Sequence, residues 1–173
     1  MSLHVREATA ADVEELSRLG SAVFWDTYRG TAPDEEIAGH VDSYFGVAAI
    51  GTEIQSEQVR YNFAMSDGEM AGLVKMREGD APELIPASPV IEVQQLYVST
   101  DHQRKGVGEF LIDVVKQRCE AEGFAGIWLS VWTEAHWAVP FYEKVGFRPL
   151  GEIPFSLAET EFVDYLMWLR VEQ

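Results

Sequence analysis

The most regular pattern of apolar and polar positions in this chain runs from residue 91 to residue 123. Between Ile91 and Val98 successive side chains alternate in a β-branched and aromatic context, which predicts a β-strand with Glu92, Gln94 and Leu96 on one face. From Val107 to Cys119 apolar residues recur every three or four positions, which predicts an amphipathic helix that ends at Gly123. The pattern therefore predicts a strand, a glycine-containing loop and a helix in immediate succession.

Similar patterns divide the rest of the chain into short elements. The other predicted strands are Leu3–Ala8, a hairpin of Arg60–Met65 and Glu69–Met76 around Asp67-Gly68, Ala125–Trp132, and a final antiparallel pair, Phe147–Ile153 and Phe162–Arg170. Three other helices are predicted. One starts near Asp12, a second starts at Pro33 and has a weaker continuation to Gln58, and a third runs from about Glu134 to Val145. The proline-bearing stretch Glu78–Pro89 is predicted to be a mobile loop. Strands and helices in this order predict an α/β (α+β) fold, a mixed sheet with helices on both faces.

Composition and charge narrow the class of protein. The 173 residues are 47% apolar and 24% charged, which is typical of one soluble globular domain spanning residues 1–173. We expect no membrane association and a cytoplasmic location, because no apolar run is long enough for a span, no signal peptide is recognisable, and Cys119 is the single cysteine. The net charge of −16 excludes nucleic acid as an expected partner, since phosphate contacts need a basic surface.

The net negative charge of the chain has two interpretations. The first 60 residues hold eleven acidic and four basic side chains, and an acidic mouth would concentrate a cationic substrate. The alternative is that the charge serves only solubility.

The loop between the central strand and helix has the chemistry of an anion site. Backbone N–H groups at a helix start lack partners, and the helix dipole adds positive charge there. Gly106 and Gly108 carry no Cβ, so a phosphate can approach the backbone, and Arg104 and Lys105 add charge. The alternative is an ordinary strand-to-helix turn with a solvated basic pair. Neither a dinucleotide-binding G-x-G-x-x-G nor a P-loop motif is present.

Two motifs in the right order resemble the signatures of the GNAT superfamily of N-acetyltransferases. The first is Q-x-x-G-x-G at Gln103–Gly108, directly after Leu96-Tyr97-Val98, and the second is FYxxxGF at Phe141–Phe147. The resemblance implies a mixed, mostly antiparallel sheet of about seven strands, with a splayed parallel pair of central strands that holds acetyl-CoA, and no metal. The cofactor-binding residues that it implies are Leu96, Tyr97, Val98, Gln103, Arg104, Lys105, Gly106, Val107, Gly108 and Lys144.

The same resemblance implies roles in catalysis. Tyr142 matches the tyrosine that protonates the leaving thiolate in much of the family; the alternative is a plain core tyrosine. Glu92 is the candidate general base through water, since Gln94 stands where close relatives often have a carboxylate and an amide accepts no proton; the alternative is an ordinary strand acid. Ala135 replaces the asparagine that many relatives use to hold pantetheine; the alternatives are that backbone groups or water hold it, or that His136 substitutes for the asparagine.

A narrower likeness is to bacterial spermidine/spermine N-acetyltransferases of the Pai type. It rests on Phe24–Tyr28, Trp128–Trp132, and Phe155 with Asp164. It makes Trp25, Tyr28 and Trp132 candidate substrate-binding residues and Asp26 and Glu159 candidate amine-binding acids, although each has an ordinary core or surface alternative.

The sequence thus predicts acetyl-CoA-dependent transfer of an acetyl group to a primary amine of a small cationic acceptor such as a polyamine. The alternatives are acetylation of a protein N-terminus or lysine and, outside enzymes, an acyl-CoA-binding regulatory domain. A homodimer is a further possibility.

Overall fold

A computed structural model describes residues 2–172 of the chain. The strands are β1 (Leu3–Glu7), β2 (Val59–Ser66), β3 (Glu69–Glu78), β4 (Ile91–Val98), β5 (Gly126–Trp132), β6 (Arg148–Leu157) and β7 (Thr160–Arg170). The α-helices are α1 (Val13–Tyr28), α2 (Asp34–Phe45), α3 (Val47–Glu53), α4 (Val107–Glu122) and α5 (Val139–Lys144).

The seven strands form a mixed sheet in the order β1-β2-β3-β4-β5-β7-β6. All neighbouring strands are antiparallel except β4 and β5, which are parallel and pair only at Ile91 with Ile127 and at Glu92 with Trp128. Beyond Glu92 the two strands diverge. The predicted fold class is therefore confirmed, including the splayed parallel pair.

Helix α4 covers one face of the sheet. Its side chains Leu111, Ile112 and Val115 are fully buried, and burial of each contributes about 1.5–3 kcal/mol. The close approach depends on Gly72 of β3, because a Cβ there would lie 2.9 Å from Cγ1 of Val107. This face supports the start of α4, where the candidate anion site lies.

Helices α1, α2 and α3 cover the opposite face. Leu16 of α1 and Ile50 of α3 pack against Tyr61, Phe63 and Leu73 of strands β2 and β3. A second cluster joins α1 and α2 to β6 and β7. The prediction of helices on both faces is confirmed.

A β-bulge at Gln94 changes which residues of β4 share a face. Lys75 of β3 lies opposite Gln95, and the next residue of β3 lies opposite Val93, so Gln94 is the additional residue. After the bulge Leu96 packs on the α4 side of the sheet, whereas Glu92 and Gln94 do not. The expectation that Leu96 shares a face with Glu92 and Gln94, which strict alternation gave, is therefore wrong.

Two predicted boundaries near the end of the chain are also wrong. Helix α5 begins at Val139 and not near Glu134, because the chain first turns through hydrogen bonds from Ala135 N–H to the Trp132 carbonyl and from Ala138 N–H to the Ala135 carbonyl, both 2.9 Å. Strand β6 continues past Pro154 to Leu157. An edge strand tolerates proline because its outer side needs no donor.

Two further stretches differ from prediction. The helical continuation ends at Glu53 and does not reach Gln58. The loop before β4, predicted to be mobile, is pinned to β5 and β7, since Ile85 and Val90 are buried against Trp128 and Trp168. Within residues 2–172, no helix has the length and apolar content that a membrane span requires.

Candidate active site

The opening between β4 and β5 follows from their short pairing. The strands are paired at Glu92, and the rest of β4, residues 93–98, runs along the opening. Backbone N–H and C=O groups on this edge need partners from another molecule or from water. Leu96, Tyr97 and Val98 are half-buried on this part of β4. The structure thus places the three predicted residues where an extended, amide-bearing chain could pair with them.

The Gln103–Gly108 loop connects this edge to α4. Arg104 and Gly106 have left-handed backbone conformations, with φ of 58° and 83°, and the N–H of Phe110 donates to the Gly106 carbonyl at 2.9 Å. The N–H groups just before Phe110 therefore open the helix, where they and the dipole suit an anion. Arg104 and Lys105 are exposed, and neither forms an ion pair with any residue of the described chain.

The two glycines of the loop are there for different reasons. Gly106 has open space around it, and its positive φ is what favours glycine. Gly108 is buried, and a Cβ there would lie 2.9 Å from Cζ of Phe141. The missing Cβ of Gly108 therefore makes room for α5, and its role in the approach of a phosphate stays a prediction. This contact brings the two sequence signatures together.

Tyr142 follows Phe141 on α5 and is half-buried. Its ring centroid lies 5.3 Å from that of Phe141 and 5.7 Å from that of Phe147. Burial raises the pKa of Tyr142 to about 12, so the phenol keeps its proton at neutral pH. Within residues 2–172 its hydroxyl has no side-chain hydrogen-bond partner, and a proton donor in that state is free to serve a ligand.

Lys144 is the last residue of α5, two positions after Tyr142, and it forms an ion pair with Glu109. Its ammonium contacts the Glu109 carboxylate in the first turn of α4, and both side chains are exposed. The predicted contact of Lys144 with the cofactor would require this surface pair to open. Such exposed pairs contribute about 0–1 kcal/mol, so the opening is inexpensive.

Glu92 is the last residue of β4 that pairs with β5. Its Oε2 accepts a hydrogen bond of 3.0 Å from the Gln94 amide, and Arg77 Nη1 lies 3.7 Å away. Burial raises the pKa of Glu92, while the Gln94 hydrogen bond and the charges of Arg77 and Lys75 oppose this effect. A carboxylate with a raised pKa is a better proton acceptor. The Gln94 amide, which accepts no proton at neutral pH, thus holds the Glu92 carboxylate in place.

The candidate substrate-binding residues lie on the α1–α2 side of the sheet. Tyr28 and Trp132 meet with ring centroids 5.7 Å apart, and Phe162 lies 5.0 Å from Tyr28 and 5.6 Å from Trp132. Trp25 packs against the same cluster and also borders an open cavity of about 540 Å³ with Asp26, Arg29 and Asp34. The structure therefore brings Tyr28 and Trp132 together, and it places Trp25 between their cluster and a cavity that has two aspartates in its wall.

Asp164 on β7 is a residue to which sequence reasoning assigned no role. It is 6% exposed, and its Oδ1 has no hydrogen-bond partner in the part of the chain that the structure describes. Burial raises the pKa of Asp164, and a hydrogen bond from the Ser130 hydroxyl opposes this shift. The sequence did carry a signal for this residue, because Asp164 is the single acidic residue at an inward position of the largely apolar strand Phe162–Arg170.

The turn after β5 borders another open cavity. Thr133, Glu134 and His136 line about 550 Å³ of space together with the start of α5 and Tyr165 of β7. Ala135 is buried beneath the turn, and exposed His136 lies 3.3 Å from Glu134. No group of three or more His, Cys, Asp or Glu side chains suited to a metal occurs within residues 2–172.

Comparison of the sequence with known families and proteins gives several matches. The model of the acetyltransferase (GNAT) family matches residues 21–147. An uncharacterised N-acetyltransferase of Lactobacillus delbrueckii subsp. lactis is 24% identical over 161 residues, which cover 93% of each chain. N-acetyltransferase family 8 member 3 of Mus musculus is 29% identical over 119 residues, which cover 69% of this chain and 48% of the mouse protein.

Solved structures show the same fold. The PaiA N-acetyltransferase of Thermoplasma acidophilum, in complex with coenzyme A, superposes with a TM-score of 0.75 at 20% identity and covers 98% of this chain and 99% of that one. The ribosomal-protein-S18-alanine N-acetyltransferase of Escherichia coli superposes with a TM-score of 0.64 at 16% identity and covers 99% and 96% of the two chains. The shared architecture is that of the sheet with its splayed central pair.

Proposed function

Because the chain belongs to the acetyltransferase (GNAT) family, we propose that it transfers an acetyl group from acetyl-CoA directly to a primary amine of a small cationic acceptor such as a polyamine. The protein is an N-acetyltransferase, as its family and the names of its relatives indicate. The acyl donor, the acceptor, a cytoplasmic location and a homodimer belong to the proposal.

The observation that carries the proposal is the opening beyond Glu92 beside the Gln103–Gly108 loop. A pantetheine chain has amides that suit the free edge of β4, and a diphosphate suits the N–H groups at the start of α4. Arg104 and Lys105, which have no ion-pair partner within residues 2–172, would neutralise the diphosphate. These residues fit coenzyme A, and a solved structure of the fold holds coenzyme A.

The reaction requires one proton acceptor and one proton donor. The acceptor amine must be neutral to attack the thioester, and Glu92 would take its proton through a water molecule. The developing negative charge on the carbonyl oxygen needs hydrogen-bond donors, which backbone N–H groups on the β4 edge supply. Tyr142 would then give its proton to the thiolate as the C–S bond breaks, because its raised pKa keeps that proton available.

The role of Glu92 predicts a specific pH dependence. Only the carboxylate form acts as a base, so kcat/KM should fall as pH decreases through the raised pKa of Glu92. Glu92→Gln should abolish this acidic limb and lower kcat/KM at neutral pH by about two orders of magnitude, the lower end of the usual range for general base catalysis. The measurement is a pH–rate profile with saturating acetyl-CoA.

The matched control for this variant is Glu69→Gln, which removes an exposed carboxylate from β3. It should leave the profile unchanged. An acidic limb that persists in Glu92→Gln would assign the base to another group.

The acidity of the chain supports a cationic acceptor. A polyamine presents several ammonium groups, and acidic residues at the mouth would hold those that do not react. We expect kcat/KM to be higher for spermidine than for a simple alkylamine of similar length. The ratio should fall when ionic strength rises, since exposed charges are screened over about 8–10 Å at physiological salt. Equal rates, or a ratio that salt does not change, would leave the acidity as a solubility feature.

Acetylation of a protein N-terminus or lysine is the second candidate, and the Escherichia coli structure with this fold is an alanine N-acetyltransferase. A turnover screen with acetyl-CoA over polyamines, amino acids and N-terminal peptides distinguishes the two. Binding of acetyl-CoA without turnover of any amine would favour the regulatory domain.

A further inference from the structure

Asp164 occupies an unusual position for a carboxylate. On β7 it lies directly opposite Trp132 of β5 and Ile153 of β6, in the interior of the sheet. It is 6% exposed, and Oδ1 has no hydrogen-bond partner within residues 2–172. A buried carboxylate oxygen without a partner is unfavourable and is rare in folded proteins. Its presence therefore needs an explanation.

The chain itself does not supply the missing cation. Within the described range, no Lys, Arg or His forms an ion pair with Asp164. The Ser130 hydroxyl hydrogen-bonds to the carboxylate and favours its charged form. Burial has the larger and opposite effect on the pKa, so the carboxylate stays charged in this dry place only if its second oxygen also gains a partner. Its complement is a cation brought by a ligand.

The surroundings specify the kind of cation. The Tyr28 ring is close enough that the charge of Asp164 adds to the effect of burial in raising the pKa of the phenol. Tyr28 lies 5.7 Å from Trp132 and 5.0 Å from Phe162 by ring centroids. Aromatic faces attract cations and also bury methylene groups. A carboxylate beside aromatic rings therefore suits an alkylammonium ion more than a hydrated metal ion.

The position of Asp164 also connects it with the opening between β4 and β5. Ser130, which bonds to Asp164, lies on β5 next to that opening and is exposed. Asp164 lies one strand beyond β5, and β4 diverges from β5 beyond Glu92, so at least two strand spacings, about 10 Å or more, separate it from the β4 edge. This distance is too long for proton transfer from the reacting amine. It fits a second ammonium group on the same acceptor.

We propose that Asp164, with the Ser130 hydroxyl and the rings of Tyr28 and Trp132, forms a subsite for an alkylammonium group of the acceptor other than the amine that is acetylated. The inference rests on the proposed function for the identity of the acceptor. It makes Asp164 a residue that determines specificity for diamines and polyamines over monoamines.

The test compares Asp164→Asn with the wild type, since asparagine preserves the shape and the bond to Ser130 but removes the charge. Calorimetry in the presence of coenzyme A should show that Kd for 1,8-diaminooctane, which is long enough to reach from the β4 edge to Asp164, rises at least about tenfold, the scale of a lost hydrogen bond to a charged group. In turnover, KM for the diamine should rise by a similar factor with little change in kcat. Turnover of 1-aminooctane, which has the same chain length but no second ammonium, should not change.

The matched control is Glu161→Gln, which removes an exposed carboxylate from the same strand and should change neither Kd nor KM. Circular dichroism establishes that each variant is folded. If Asp164→Asn does not fold, Ser130→Ala tests the same subsite and should raise the diamine Kd severalfold.

The outcomes separate the subsite from the proposed function. If no amine is acetylated but the diamine binds and Asp164→Asn weakens it, the proposed function fails and the subsite stands. If diamines are acetylated and Asp164→Asn binds and acetylates them normally, the function stands and the subsite is overturned. Equal loss with mono- and diamine would show a structural role only and would also overturn the subsite.

Discussion

Replacing Tyr142 by phenylalanine should lower kcat by about two to four orders of magnitude while the affinity for acetyl-CoA stays the same. The variant keeps the ring that packs against Phe141 and Phe147 and removes only the hydroxyl group. Without that proton the thiolate must leave as an anion or take a proton from water, and both routes raise the barrier. The measurement combines steady-state turnover with calorimetric titration of acetyl-CoA.

The control for Tyr142→Phe is Tyr44→Phe, because Tyr44 is 62% exposed on α2 and its hydroxyl has no role in the proposed chemistry. It should keep wild-type turnover. A kcat for Tyr142→Phe near that of the wild type, in a reaction limited by chemistry, would assign protonation of the thiolate to another group or to water.

Replacing Gly106 by aspartate should lower the affinity for acetyl-CoA by about a hundredfold or more. Two effects act together. A residue with a Cβ is strained at φ of 83°, which costs about 1–2 kcal/mol. The carboxylate also places a negative charge at the helix start where we expect the diphosphate. Repulsion between two unit charges about 4 Å apart is about 1 kcal/mol in water and about 4 kcal/mol near a protein surface. Calorimetry with coenzyme A measures the loss.

The control is Gly123→Asp at the other end of the same helix. Gly123 has φ of 80° and open space around it, as Gly106 does, so the backbone strain is matched. Gly123→Asp should lower the free energy of unfolding and leave the Kd for coenzyme A unchanged. Equal affinity in both variants and the wild type would place the diphosphate elsewhere.

The parts of the fold that the sequence predicted well are those where local pattern decides the outcome. The strand before the loop and helix α4 have strong periods and a glycine at the end, and both were found within a residue or two. The hairpin around Asp67-Gly68 was predicted from its turn residues alone, because those residues favour positive φ. The motif resemblance supplied the splayed pair, which no local pattern indicates.

The parts that it missed depend on contacts between distant segments. The bulge at Gln94 depends on the pairing of β4 with β3, and strict alternation does not predict it. The reason for Gly108 is the ring of Phe141, more than thirty positions away along the chain. The burial of Asp164 is set by strands β5 and β6 on either side of β7 and by Tyr28 of α1, and the sequence shows only an acidic residue within a largely apolar strand. The roles proposed for Glu92 and Tyr142 come from the motif resemblance, and the fold adds the burial that raises the pKa of each.

The short pairing of β4 with β5 has a consequence for the stability of the whole protein. Strands β1 to β4 form one half of the sheet and strands β5 to β7 the other, and the two halves pair at only two positions. This seam between β4 and β5 is therefore the part of the sheet with the fewest internal hydrogen bonds. If a ligand adds its own amides along this seam, it binds the folded chain and not the unfolded one. At a concentration a hundred times its Kd, such a ligand raises the free energy of unfolding by about 2.7 kcal/mol. On the proposed function, the lifetime of the enzyme would then follow the supply of its acyl donor.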